Sequence, residues 1–263
     1  MRRSAMLWGS ILLIIGIALL LDNLGLLGDI NIWGLIWPLA LVALGAWILW
    51  GNLLHRSSPS EQINIPFEGA QQARLRVQHG AGRLRLGSGA SHPNLLEGDF
   101  GGGLDINKEL RGDTLQVKLS LPGLFFPFSW FPGDSLDWSI RVNKDIPFSL
   151  VFETGAGETR LDLTDLMVRE VSLTTGASST ALTLPANAGF TQVKVESGAA
   201  SIDIRIPTGV AARIRSSGGL SSLSVDKERF PRVGDVYLSP DYDAAPNKVE
   251  LSVQMGVGSL SIR

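Results

Sequence analysis

The chain has 263 residues, with 23 Lys+Arg against 25 Asp+Glu and a formal net charge of −2. It contains no cysteine, so structural disulfides, thiolate zinc sites and cysteine nucleophiles are excluded. Near-neutrality also removes the global basic footprint of a nucleic-acid binder.

No charged residue occurs between Ser4 and Leu21, nor between Ile30 and Leu54. A hydrocarbon core of about 30 Å needs about 20 helical residues, so both runs are long enough to span it. Trp8, Trp33 and Trp50 fall near the ends of the runs, where an amphipathic ring sits best at the headgroup boundary. Arg2 and Arg3 before the first run mimic a signal peptide. However, no small-x-small cleavage site follows, and a second apolar run begins almost at once. The pattern predicts a transmembrane α-helical hairpin over residues 1–56; a cleaved signal and a buried core hairpin are the other readings. Pro38 would kink the second helix or mark one of its early turns. Arg2, Arg3, His55 and Arg56 flank the runs on the outside, while their connection holds Asp22 and Asp29. The positive-inside rule then predicts a plasma-membrane protein with two spans, both termini and the C-terminal domain being cytoplasmic.

Residues 57–66 read as a polar linker, and residues 67–263 as an all-β domain. That domain repeats a unit in which an alternating strand meets a glycine among small residues and a second alternating strand follows. Phe148–Leu163 reads FSLVFETGAGETRLDL, Val171–Leu184 reads VSLTTGASSTALTL and Val193–Ile206 reads VKVESGAASIDIRI. Related units begin at Leu75, Arg213 and Leu251. The central glycines Gly155, Gly176, Gly198 and Gly218 recur at steps of 21, 22 and 20 residues. Recurrence near 20 residues predicts a stacked-rung β-solenoid, in which each unit buries its apolar face on its neighbour. An antiparallel sandwich is the competing architecture. At the rung corners the glycines are expected to supply positive φ, and Pro122, Pro185 and Pro207 to mark strand ends.

The residue pattern predicts no catalytic, metal or cofactor site. His55, His79 and His92 have no metal-ligand spacing. Gly98–Gly103 lacks the lysine and hydroxyl of a phosphate-binding loop. The pairs Asp134/Asp137, Asp162/Asp165 and Asp241/Asp243 read as solvated turn acids. Two surfaces remain. Arg74, Arg76, Arg83 and Arg85 alternate with apolar residues on two strands, so they form either a lipid-headgroup contact or a solvated face paired with acids. Phe125, Phe126, Phe128, Trp130 and Phe131 lie in a proline-rich stretch that would cap the solenoid, enter the bilayer interface or bind a partner.

The N-terminal pattern ILLIIGIALLLDNLGLL…IWPLALVALGAWILW resembles the LiaI/LiaF-like transmembrane region of bacterial envelope-stress proteins. LDLTDLMVREVSLTTGASSTALTLP and VKVESGAASIDIRIPTGVAARI resemble the C-terminal domain of LiaF-type cell-wall-antibiotic response proteins, a stack of β-rungs called a toast-rack domain. This resemblance implies a bacterial membrane protein whose best-known relatives restrain a partner sensor histidine kinase. Those relatives carry four predicted spans, and this sequence shows two. The expected partners are the bilayer and another membrane protein, with no nucleic acid and no cofactor. The expected function is non-catalytic sensing or regulation of envelope stress. A polymerising scaffold of the bactofilin kind is the alternative.

Overall fold

A computed structural model describes residues 60–122, 136–219 and 222–263, and the predicted hairpin lies outside them. Among the described residues no helix is long and apolar enough to cross a membrane. Every regular element there is a β-strand, and the strands join in one hydrogen-bonded network. The central strands are β2 (Gln72–Ser88), β7 (Phe148–Asp162), β8 (Val168–Thr183), β9 (Phe190–Arg205) and β14 (Lys248–Ile262). They lie side by side and parallel in the order β2-β7-β8-β9-β14. The solenoid is therefore the observed architecture. An antiparallel sandwich would have reversed these strands.

Each long strand spans a whole rung. Along β2 the inward residues are Leu75, Val77 and His79, then Leu84 and Leu86; along β8 they are Val171, Leu173 and Thr175, then Thr180 and Leu182. The step from 79 to 84, or from 175 to 180, is odd, so the buried set changes parity at the corner. In a flat strand that change would turn one half of the rung outward. Here the chain bends, and both halves keep their apolar rows on a common core. Across the stack these rows run in register. Val117, Leu75, Leu150, Val171, Val193, Leu251 and Ile214 form one file, all of them buried. Each such side chain contributes about 1.5–3 kcal/mol by leaving water. Leu163, Leu166, Leu184, Ile206 and Val210, from the short connections between rungs, close the remaining side.

The glycine expectation needs correction. Gly155, Gly176 and Gly198 do not have positive φ; they are needed for close approach. A Cβ on Gly176 would stand 2.6 Å from the Gly155 carbonyl oxygen, and one on Gly155 would press still closer on that of Gly80. Positive φ is found at Gly218, as expected there, and otherwise two residues past the close-approach glycines, at Gly82, Gly157 and Gly258. The rung order also departs from chain order. Gly256 of β14 follows Gly198, and the file ends on Gly219 rather than Gly218. The C-terminal strand is inserted between β9 and the split rung of β10 (Ala211–Gly218) and β11 (Ser222–Val225).

The other end is split in the same way. β5 (Thr114–Ser120) pairs with the first half of β2 and β6 (Asp137–Val142) with its second half. Antiparallel strands then extend both ends. β4 (Asp105–Arg111) lies on β5, β3 (Asn94–Phe100) and β1 (Glu61–Pro66) follow β6, and β13 (Val236–Leu238) and β12 (Arg232–Val233) follow β10. Because β1 pairs with β3 and buries Ile65, the domain begins within the stretch expected as linker. The alternation Ile63-Asn64-Ile65 is what permits that pairing. Pro122, Pro185 and Pro207 each fall just beyond a strand end, as expected.

Candidate functional site

At every corner the residue two before the glycine points outward and is polar. Gln78, Glu153, Thr174, Glu196 and Gln254 occupy one file across five rungs. Beside them the glycines leave backbone uncovered, and an open cleft of about 830 Å³ runs over Gln78, Glu153, Thr174 and the glycine file from Gly80 to Gly198. Through Thr174, Thr175 and Gly198 it meets a second hollow of about 410 Å³ that reaches Gln254 and Gly256. Gln78 Nε2 donates to Glu153 Oε2 at 2.6 Å, and Lys194 Nζ lies 2.6 Å from Glu196 Oε1. Adjacent rungs lie about 4.8 Å apart, so the cleft offers a polar track at that spacing. No motif in the sequence marks these residues, although counting back two positions from each glycine finds them.

The residue just before the glycine points inward. His79, Thr154, Thr175, Ser197 and Met255 form that file, and it is polar except at Met255. Thr175 Oγ1 donates to Ser178 Oγ at 2.6 Å. His79 is the largest polar member. Its Nε2 is 2.9 Å from the Leu136 carbonyl oxygen, which can only accept, so Nε2 carries the proton. Its ring packs against Trp138 with centroids 5.0 Å apart. Burial pushes its pKa below the ordinary 6.5, against the opposing pull of the Leu136 carbonyl and the Asp137 charge. Trp138 is itself held by its indole N–H donating to the Gly101 carbonyl at 3.0 Å and by an edge contact to Phe100.

The four arginines lie on the outer faces of the two halves of β2, and three of them meet acids. Arg74 is 3.6 Å from Glu170, Arg76 3.6 Å from Glu153 and Arg83 2.6 Å from Asp137. The Asp137 carboxylate holds the Arg83 pKa above its usual value. Arg85 makes no ion pair among the described residues. It borders a hollow of about 390 Å³ together with Arg141 and Arg160, whose own acids are Glu97 and Glu158. Phe125, Phe126, Phe128, Trp130 and Phe131 lie outside the described residues.

The remaining sequence candidates have local roles. Asp162 accepts from the Thr164 backbone and hydroxyl, and Asp165 accepts from Ser88. Gly98 packs against the Phe100 ring, and Gly102 and Gly103 turn with positive φ. Among the described residues no group of three or more His, Asp or Glu is placed to hold a metal ion.

With this geometry established, residues 55–205 match the N-terminal domain of toast_rack (DUF2154). The chain belongs to the toast_rack family. Residues 7–62 match the LiaF transmembrane domain, so this toast_rack chain is membrane-anchored and LiaF-like. Among solved structures, a candidate cell-adhesion protein from Clostridium sporogenes ATCC 15579 superposes with a TM-score of 0.72. The two are 22% identical over 78% of this chain and 99% of that one, a likeness that shows the fold alone. A candidate adhesin from Bacteroides fragilis NCTC 9343 aligns over 79% of this chain and 98% of its own, but at 10% identity and a TM-score of 0.27. That superposition supports no argument. No curated protein sequence matches the chain significantly.

Proposed function

We propose that this toast_rack protein is a non-catalytic regulator or sensor of bacterial envelope stress. It is anchored by two membrane spans and presents its solenoid in the cytoplasm to a membrane partner, for which a sensor histidine kinase is the model. The observation that carries this reading is the tandem match, in which a LiaF transmembrane region leads directly into the rung stack. The flanking charges Arg2, Arg3, His55 and Arg56 support the sidedness. The polar corner track and the paired outer faces suit recognition of a protein surface. Arg85, which unlike the other three arginines has no ion pair among the described residues, suits an anionic headgroup.

The scaffold reading needs complementary rung ends that stack without limit. Antiparallel strands lie beyond the split rungs, and this favours the regulator. Sedimentation of residues 57–263 separates the two: a monomer or small closed oligomer is expected, and concentration-dependent filaments would establish the scaffold instead. Sidedness is read from cysteines in the cysteine-free chain. Ser57→Cys should resist an impermeant thiol reagent in intact cells while Gly28→Cys reacts, and the reverse would place the solenoid outside. Crosslinking and recovery from membranes, with residues 125–131 intact or changed to serine, tests the aromatic segment. A specific partner lost only from a folded mutant supports it, and an unchanged partner set removes it.

A further inference from the structure

β4 is exposed on both faces along its whole length. Among the described residues it pairs with β5 alone, leaving one edge of backbone donors and acceptors open. Such an edge is a template for another strand. On one face Ile106, Lys108 and Leu110 lie opposite Leu119, Val117 and Leu115 of β5, so this row continues the core row outward. Ile106 and Leu110 are 38% and 46% exposed. The other face carries Asp105, Asn107, Glu109 and Arg111, with Glu109 2.9 Å from Arg111.

The order of these seven residues points to one occupant. We infer that β4 pairs antiparallel with β4 of a second copy of this chain, about a two-fold axis through Lys108. That register sets Asp105 opposite Arg111, Ile106 opposite Leu110 and Asn107 opposite Glu109, each pair occurring twice. Opposite charges and paired apolar side chains directly across a ladder stabilise it. Sliding by two residues in one direction brings Asp105 against Glu109. Sliding in the other brings Glu109 against its own copy and Lys108 against Leu110. A slip of one residue turns the apolar row to the wrong face. The chosen register has one like-charge meeting, Lys108 with its copy, and each of these lysines is ion-paired to Glu68. An isologous contact of this kind closes at two copies and cannot grow a filament. Seven residues make a small interface, so the contact is weak in free solution. Anchoring in a shared membrane raises the effective concentration that makes it count.

The absence of native cysteine makes the test direct. Residues directly opposite in an antiparallel ladder have Cα atoms about 4.5–5.5 Å apart, within the range a disulfide spans. The full chain is reconstituted in lipid vesicles as Lys108→Cys and oxidised mildly, with the exposed Gln192→Cys as a collision control. A disulfide dimer is expected from Lys108→Cys and little from the control. Adding Asp105→Arg should lower the yield several-fold, and adding Arg111→Asp to that should restore it. Asn107→Cys mixed with Glu109→Cys repeats the measurement with Lys108 in place, and circular dichroism checks that each variant is folded. No dimer in either format, equal yield from Gln192→Cys, or indifference to the charge reversal and its restoration would overturn the pairing.

Discussion

Alanine at the corner glycines separates steric approach from backbone conformation, because Gly155, Gly176 and Gly198 all have φ values open to alanine. What differs is the space. A Cβ at Gly198 would lie 3.2 Å from the Gly176 carbonyl oxygen, one at Gly176 2.6 Å from that of Gly155, and one at Gly155 nearer still to Gly80. Below 3.0 Å something must move, and the obstacle here is backbone of the next rung. Gly176→Ala therefore forces the two rungs apart by about half an ångström and Gly155→Ala by about twice that. Overpacking of this kind costs about 1–3 kcal/mol. Alanine returns about 0.4–1 kcal/mol by restricting the unfolded chain. The expected order is Gly155→Ala down by about 2 kcal/mol, Gly176→Ala by about 1, and Gly198→Ala within about 0.5 of wild type. At about 2–4 °C per kcal/mol for a domain of this size, the first should melt about 4–8 °C early. Urea and thermal unfolding of residues 57–263 measure the series. Equal losses at all three positions, or the largest loss at Gly198, would refute the close-approach account.

Three further outcomes follow from the same structure. His79 is buried and its folded pKa is lowered, so the unfolded chain takes up the proton first on acidification. Its contribution is complete above about pH 6.5 and lost as pH falls towards the folded pKa; the urea midpoint should drop in that window, and less so in His79→Gln. Trp138→Phe removes the indole donor and leaves the buried Gly101 carbonyl unpaired. It should cost about 2–3 kcal/mol, read from the denaturation midpoint. Removal of residues 248–263 takes β14 from between β9 and β10 and strips Leu251, Val253, Met255, Leu260 and Ile262 from the core. The shortened chain should lose its β-sheet circular dichroism, and retention of a cooperative melt would contradict the insertion.

The site was only partly legible. Alternation along Arg74–Leu86 placed the four arginines outward, because side-chain period in a strand is local. Which of them meet acids was not, because Glu170, Glu153 and Asp137 arrive from other rungs and register alone brings them near. The seven residues of β4 carry no local mark of an open edge, since exposure on both faces is a property of where a strand lies in the sheet.

Taken alone, the sequence determined the class of this protein: uncharged runs long enough for a bilayer, then a glycine-marked unit near 20 residues that can bury its apolar face only by stacking. Both are matters of period and composition, which a chain carries along its own length. Only the tertiary structure decided why the glycines recur and where the last strand goes. Gly155 and Gly176 are required by carbonyls one rung away, and β14 takes its place because β9 and β10 both offer it a parallel edge. Contacts between segments distant in sequence set those outcomes, so no local pattern could announce them.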